Sequence, residues 1–395
     1  MWESKGKVAI VGVGFSKLSR KPEGTLGARC MEACTSAIND AGLKLSDIDG
    51  IATYPDQPFR GAGNVAGIDL VDIDFILHYL DLAPHVKWYA EIGHGMVTSA
   101  VLEAVNALLA GTCKYALVWR ALHQPQGRAY KDITTNVATG DSQFQHPYGF
   151  GATYQNHAFA YRRYMDQYGA KREHMATLAV TQRGYANKNE NAFFYKTPLS
   201  REDYINARMI SDPMCLYDCD IPVEGAAAVV LTRTERAKAL RNPPAYVAGY
   251  AQNTDRRPEL LISQLIDYMK AGASLADQMW DMSGLRPKDV DVALIYDGFS
   301  PSVYYALEAG GFCKQGEAFE FIQGGTIGPG GKLPLNTHGG SLSEGRLHGM
   351  GHLAEAVRQV TGRAGARQVP DCHVAYMTAA SPLTRGSGMI ITSEP

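Results

Sequence analysis

Leu43-Lys44-Leu45-Ser46-Asp47-Ile48-Asp49-Gly50-Ile51-Ala52-Thr53-Tyr54 returns as Leu285-Arg286-Pro287-Lys288-Asp289-Val290-Asp291-Val292-Ala293-Leu294-Ile295-Tyr296, at a constant offset of 242 residues. Each copy reads as a turn running into a short β-branched strand that ends on tyrosine. What precedes the two copies also matches. Apolar residues recur at helical spacing from Leu26 to Asn39 and stop at Ala41-Gly42, and again from Ile262 to Met282 with a stop at Ser283-Gly284. Ahead of those helices stand two strand-like runs, Lys7-Val8-Ala9-Ile10-Val11-Gly12 and Ala245-Tyr246-Val247-Ala248-Gly249.

A second pair of segments follows the same order. His94-Gly95-Met96 opens a helical pattern through Leu102-Glu103-Ala104-Val105, followed by a strand at Tyr115-Ala116-Leu117-Val118-Trp119. His348-Gly349-Met350 opens another through Leu353-Ala354-Glu355-Ala356-Val357, followed by a strand near His373-Val374-Ala375-Tyr376-Met377. Four elements repeated in one order predict an α/β protein built by duplication, with two packed halves. The boundaries read as 1–121 plus 214–240 for the first half and 241–395 for the second. Residues 122–213, rich in aromatic and amide side chains, read as an inserted loop or lid subdomain with a helix near Glu173 to Asn187. The run Asp220 to Leu231 closes the first half with a strand.

Composition narrows the class. The 395 residues are 45% apolar and 20% charged, which suits a packed globular chain. Lys and Arg total 38 against 40 Asp and Glu, with no basic tract, so nucleic-acid binding has no electrostatic basis. No apolar run of about 18 residues predicts membrane insertion, and Met1 to Arg20 lacks the apolar core of a secretion signal. Seven scattered cysteines fit a reducing cytoplasm better than a disulfide framework.

Several motifs fail. Gly12-Val13-Gly14 follows a strand, but the third glycine of a dinucleotide fingerprint would fall at Lys17. There is no phosphate-cradling loop and no G-x-S-x-G elbow. Cys215 and Cys219 lack the further ligands of a zinc site, and Cys30 and Cys34 read as small buried helix residues, so no metal is expected.

In the last third the residues resemble a family. Tyr296-Asp297-Gly298-Phe299-Ser300 is similar to the His-Asp-x-Phe-[ST] segment of thiolases of the sterol carrier protein x type. Asn336-Thr337-His338-Gly339-Gly340 resembles their Asn-x-x-Gly-Gly loop, and Ser343-Glu344-Gly345-Arg346-Leu347-His348-Gly349 stands where their Gly-His-Pro loop does. Asp220 to Leu231 and Arg385 to Thr392 resemble two further strands. The resemblance spans essentially the whole chain. It implies the thiolase-like fold, five αβαβα layers with two mixed sheets around central helices, and a homodimer pairing edge strands near Tyr115 to Trp119.

The departures point elsewhere than thiolysis. A thiolase needs a cysteine at the amino end of the buried helix in the first half, where the dipole favours thiolate. Here that place is Ile92-Gly93-His94-Gly95-Met96, and Cys113 is the nearest cysteine in sequence. Tyr296 replaces one family histidine and Arg346 another, and Thr378-Ala379-Ala380-Ser381-Pro382 lacks the second cysteine. Without thiolate no acyl-enzyme forms. The pattern resembles the cysteine-lacking, lipid-transfer-protein-like steroid side-chain aldolases, whose loop ends in His-Gly-Met as Leu347-His348-Gly349-Met350 does. Arg346 departs from their tyrosine. The resemblance implies retro-aldol cleavage of a β-hydroxyacyl-CoA with a bulky, steroid-like acyl group, giving a ketone and a short acyl-CoA. It implies coenzyme A only as part of the substrate, no cofactor bound by this chain, and a small partner protein bearing a zinc ribbon and an OB fold.

Such a cleavage needs a base for the hydroxyl proton, donors for the enolate and an acid for the departing carbon. Tyr296 is the candidate acid or base, with Arg346 as the cation that would lower its pKa; the alternatives are a strand-end aromatic like Tyr54 and a structural ion pair. His348 and His94 are candidate acid/base or orienting groups, with a helix-end structural role as the alternative. Asn336 and His338 are expected to line the substrate pocket, and Gly339 and Gly340 to let backbone approach a ligand. Two other readings stay open: a thiolase or acyltransferase with an unusual nucleophile, and a non-catalytic acyl-CoA-binding subunit.

Overall fold

The computed structural model describes residues 2–21, 23–54, 65–92, 96–123, 138, 140–254, 268–379 and 385–395. The first half runs β1 (Val8–Phe15), α1 (Leu26–Ala41), β2 (Gly50–Thr53), α2 (Ile73–Tyr79), β3 (Trp88–Glu91), α3 (Met96–Ala110) and β4 (Tyr115–Leu122). Then come α4 (Thr153–Tyr168), α5 (Arg172–Ala186), α6 (Arg201–Ile205), a ribbon of β5 (Met209–Ser211) and β6 (Met214–Cys215), β7 (Gly225–Arg233) and α7 (Thr234–Ala237). The second half holds β8 (Ala245–Thr254), α8 (Tyr268–Ser283), β9 (Val292–Ile295), α9 (Pro301–Ala309), α10 (Ala318–Phe321), α11 (Gly340–Ser343), α12 (Met350–Val360), β10 (Val374–Ala379) and β11 (Arg385–Thr392). Residues 262–267 of the expected second-half helix lie outside the described residues.

Among the described residues nine strands form one sheet in the order β3-β2-β4-β7-β1-β8-β11-β10-β9. The duplication is legible in it. From the middle outward, β1, β7, β4 and β2 match β8, β11, β10 and β9, with antiparallel, antiparallel and parallel pairing in both halves. Local geometry repeats as well. Gly42 and Gly284 end their helices at φ 75° and 73°, a left-handed cap that glycine adopts without strain. One-turn 3-10 segments at Leu45–Asp47 and Pro287–Asp289 lead into β2 and β9. The expected separate sheets are stitched together by two residue pairs, Ala9–Tyr246 and Ile10–Ala245.

Three apolar clusters fill the spaces between the helix and strand layers, the middle one on both sides of the central helices. One lies between α1, α2 and the first-half strands, with Leu26, Cys30, Ala33, Ala37, Ile38 and Ala41 facing the sheet at helical spacing. The failed dinucleotide motif finds its reason here. A Cβ on Gly12 or Gly14 would lie 2.2 Å or 2.1 Å from a carbonyl of α1, so both glycines serve close helix–strand packing. The middle cluster gathers α3 and α12 with strands of both halves. The third packs α4, α5, α8 and α9 over the outer second-half face.

One expectation is corrected. Tyr115 to Trp119 does not form a sheet edge, because β4 lies between β2 and β7. Among the described residues the first-half edge is β3, where Tyr89 is 65% exposed. No described helix is long and apolar enough to cross a membrane.

Candidate active site

The carboxyl ends of β2, β4 and β9 and the loop before α12 converge on one buried group of polar side chains. Arg120, near the end of β4, is 2% exposed. Its Nη1 donates to Tyr54 O at 2.9 Å and Ala121 O at 2.7 Å, and its Nη2 to His348 Nδ1 at 3.0 Å. The guanidinium also stands 5.3 Å from the Tyr54 ring, which meets the His348 ring edge-on at 6.0 Å. His348 precedes α12 with φ 50°, a conformation uncommon for a side chain with a Cβ. Burial first, then Arg120 and Arg346, push its pKa well below the ordinary histidine value. The imidazole is therefore neutral at pH 7.

Arg346 does two things in this loop. Its backbone N–H donates to Ile221 O at 3.0 Å, and its Nε stands 3.5 Å from Asp220 Oδ2. The 3.5 Å contact is the geometry of the alternative reading of Arg346, a structural ion pair, and the Arg346 charge also bears on His348. Asp220 in turn donates its N–H to Gly298 O at 3.1 Å. Tyr296 follows β9 directly and is buried, with its N–H directed at Thr378 Oγ1 at 3.4 Å. Its ring curls back over Gly298; a Cβ there would lie 3.2 Å from the Tyr296 hydroxyl. One backbone hydrogen bond thus links the loop under Tyr296 to Asp220 and Arg346.

Behind Tyr296 lies a second buried group. Asp297 accepts from Ser341 N at 2.7 Å, Leu342 N at 3.3 Å and His352 Nε2 at 3.0 Å, capping the short helix α11. A Cβ on Gly340 would fall 2.0 Å from its Oδ2, so Gly340 makes room for a carboxylate of the chain itself. Gly339 likewise packs on Ala186. The His352 ring lies 5.8 Å from Tyr296 and 4.5 Å from His338. His338 is buried, its pKa driven well below the ordinary value by burial first and by the His352 charge next. Its Nε2 is 3.9 Å from Glu344 Oε2, while Asn189 donates to both His338 O and Glu344 Oε1 at 2.8 Å. Burial raises the Glu344 carboxyl to about 7.

Asn336 works on the sheet. Its Oδ1 accepts from Ile295 N at 2.7 Å and its Nδ2 donates to Ile295 O at 2.8 Å, holding the residue before Tyr296. His94 lies outside the described residues. The sequence reading missed Arg120, Glu344, Asn189 and His352. Arg120 carried a signal, a cation inside the apolar run Trp119-Arg120-Ala121-Leu122. Glu344 carries no signal in the sequence beyond its place in the loop from Ser343 to Gly349.

Six of the seven cysteines offer no activated thiol. Burial pushes Cys113, Cys215, Cys313 and Cys372 up to about 12, and Cys30 and Cys219 well above the ordinary value. Among the described residues no three His, Cys, Asp or Glu side chains gather as a metal site.

Residues 258–394 match the family described as Thiolase C-terminal domain-like. The chain is 34% identical over 371 residues to a 17-hydroxy-3-oxo-4-pregnene-20-carboxyl-CoA lyase of Mycobacterium tuberculosis, covering 90% of this chain and 92% of that one. It is 33% identical over 403 residues to a steroid side-chain-cleaving aldolase of Thermomonospora curvata, covering 98% of each. The solved structure titled Ltp2-ChsH2(DUF35) aldolase superposes with a TM-score of 0.86 at 32% identity, over 98% of both chains.

Proposed function

Since the chain belongs to the lipid-transfer branch of the thiolase superfamily, alongside the steroid side-chain-cleaving aldolases, we propose that it cleaves a β-hydroxyacyl-CoA by a retro-aldol reaction. The acyl group is bulky and steroid-like, as in the relatives' names. The observation that carries this reading is a buried site of phenol, imidazole and guanidinium groups in a chain where burial keeps Cys113, the cysteine nearest in sequence to the start of α3, as a thiol.

The chemistry balances without a further reagent. A base removes the β-hydroxyl proton, the C–O bond becomes a ketone carbonyl, and the bond between the α and β carbons breaks. Its electrons move into the thioester carbonyl as an enolate, and a proton delivered to the α carbon completes a shortened acyl-CoA. The thioester is the electron sink, so neither a Schiff-base lysine nor a bound cofactor is required, and coenzyme A enters with the substrate. We assign Tyr296 the proton transfers, in the position the two buried groups enclose. His348, neutral and beside Arg120, supplies a hydrogen bond to the enolate oxygen, where donors aimed at developing charge lower the barrier most. Arg346, held by Asp220, orients the loop beneath Tyr296. His94, two residues ahead of α3 in the sequence, and His338 remain candidates for contact with the substrate, while Gly339, Gly340 and Asn336 serve the packing and the sheet edge that hold the loop.

Assembly belongs to the proposal. A small zinc-ribbon and OB-fold subunit is the expected partner, and the chain pairs with a second copy of itself through the β3 edge. A sedimentation mass near one chain's 42.9 kDa would remove the dimer. The central test presents purified chain, alone and with its co-encoded partner, with β-hydroxyacyl-CoAs. Equimolar ketone and shortened acyl-CoA, with no acylated protein in the mass spectrum, is the expected result. A trapped acyl-enzyme, or no cleavage in either preparation, overturns the reading.

A further inference from the structure

The geometry points to Arg120 as a positioning residue that fixes His348 in one tautomer, making its imidazole a hydrogen-bond donor through Nε2 instead of a base. The inference rests on the retro-aldol reading for its purpose, and on the hydrogen bonds around His348 for its substance.

A guanidinium carries five N–H donors and no acceptor, and it stays charged throughout the working pH range. The 3.0 Å contact between Arg120 Nη2 and His348 Nδ1 therefore has one polarity: Nδ1 accepts. A neutral imidazole whose Nδ1 accepts carries its proton on Nε2. Arg120 is itself held from the other side, because its Nη1 is shared between Tyr54 O and Ala121 O. Two backbone carbonyls at the ends of adjacent strands thus aim the fork, and the fork aims the ring. The Tyr54 ring lies against both partners, 5.3 Å from the guanidinium and 6.0 Å from the imidazole.

The charges around His348 act in the same direction. Arg120 faces it from β4, and Arg346 faces it from its own loop, with Asp220 beside Arg346. Adding a proton to the ring would place a third cation in a buried space. The hydrogen bond made by one ring nitrogen decides which nitrogen carries the proton, since the two tautomers exchange donor and acceptor at each. The repeat supplies a control. Strand register sets Trp119 opposite Thr53 in the first half and Thr378 opposite Ile295 in the second, so the position matching Arg120 is Ala379. A Cβ on Gly349 would fall 2.7 Å from the Ala379 Cβ. The second-half strand packs closely on the start of α12, and the first-half strand reaches over to it with a cation.

Nitrogen-15 NMR of histidine-labelled, substrate-free chain tests the inference, with the His348 signals identified by their loss in His348→Gln. The expected wild-type spectrum has a protonated Nε2 and a bare Nδ1, unchanged from pH 8 down to pH 5. In Arg120→Met the ring should populate both tautomers and take up its proton at a higher pH than in the wild type, with burial and Arg346 still holding it below the ordinary histidine value. A protonated Nδ1 in the wild type, or ordinary titration near 6.5 there, overturns the inference. This readout needs no substrate, so it stands apart from the failure of the retro-aldol reading, and the wild-type spectrum decides even where Arg120→Met does not fold. Kinetics add a second arm. Arg120→Lys should lower kcat about tenfold with KM within about threefold, and should move the acid limb of the pH profile upward. A proportional loss of active enzyme with an unchanged pH profile would instead mark Arg120 as structural only.

Discussion

The two ends of the sheet began as copies and now differ. At the first-half end β3 pairs with β2 through four consecutive residues, from Gly50–Trp88 to Thr53–Glu91. At the other end the equivalent chain makes a single parallel bridge, Ala293–Leu335, supported by Ala293 N to Pro334 O at 3.0 Å and Asn336 N to Ala293 O at 2.9 Å. Then it leaves. Asn336 turns at φ 51°, and its side-chain amide takes over the pairing with Ile295 that the next strand residue would have made. The chain so released, Thr337 to Gly349, carries His338, Glu344, Arg346 and His348 to the carboxyl end of β9. A scaffold element was given up at one edge, and the site stands in its place.

That contrast breaks most readily at Asn336. Asn336→Ala leaves both backbone groups of Ile295 without the amide, in a buried place, and puts alanine at a left-handed φ. With ~1–3 kcal/mol for each orphaned group and ~1 for the backbone, the expected loss is about 4 kcal/mol in urea unfolding. Thr53→Val, which removes one hydroxyl bond to Trp119 O at the matching end of β2, should cost only about 1 kcal/mol. Equal losses would show that Asn336 does no more than an ordinary strand-end hydrogen bond.

The carboxylates of the two edges sharpen it next. Glu344 is raised to about 7 by burial, above its ordinary 4.5. The folded chain therefore keeps a proton that the unfolded chain has released between those values. The stability it contributes is complete below about pH 4.5, falls as pH rises through about 7, and is flat above. Glu344→Gln, permanently neutral, should match the wild type near pH 4 and exceed it by on the order of 3 kcal/mol at pH 8. Glu91 on β3 is exposed and accepts from Ile73 N at 2.9 Å, and Glu91→Gln, which keeps an acceptor there, should change stability at pH 7 by less than about 0.5 kcal/mol. A wild-type and Glu344→Gln pair whose difference is independent of pH would refute the raised carboxyl.

What was legible in the sequence follows from where information sits in a chain. Gly42 and Gly284, the turns after them and the strands ending in Tyr54 and Tyr296 depend on near neighbours, and the repeat doubled each signal. The polar residues of the final third were visible as types, and the loop that holds them was found. Pairing partners were not visible. Whether Tyr115 to Trp119 is an edge or an interior strand depends on β2 and β7, which lie far away along the chain. Arg120 reads as a stray cation until His348, 228 residues on, is beside it. Asn336 was expected in the pocket because an amide in a glycine-rich loop suggests a ligand, and only the register with Ile295 reveals the sheet it completes.

The tyrosines at the ends of β2 and β9 divide the halves by activity. Tyr296→Phe keeps the ring over Gly298 and removes the hydroxyl, so turnover should fall a hundredfold or more, about 2.7 kcal/mol, while acyl-CoA binding persists. Tyr54 meets Arg120 through its backbone carbonyl and its ring face, and phenylalanine retains both. Tyr54→Phe should leave turnover within about threefold. The reverse ranking would place the proton transfer in the first half.

The smallest effect is expected at a pair of cysteines where the halves have stayed alike. Cys113 stands two residues before β4 and Cys372 two residues before β10. Burial pushes both thiols up to about 12, and the next contribution comes from Asp49 in one case and Asp291 in the other, residues that are themselves repeat partners. Asp49 accepts from Lys114 N and Tyr115 N, and Asp291 from His373 N and Val374 N, at 2.7–2.9 Å. The same device ties the start of the same strand twice. Both thiols therefore sit at the amino ends of their strands, whereas Arg120 and Tyr296 sit at carboxyl ends. Seven residues of extended chain put Cys113 roughly 23 Å from Arg120. Cys113→Ser and Cys372→Ser should each lower stability by about 1–2 kcal/mol, through a hydroxyl buried in an apolar place, and each should leave C–C cleavage within about twofold. Loss of cleavage in Cys113→Ser alone, with the fold intact by circular dichroism, would break the symmetry of the pair and return the chain to thiolate chemistry.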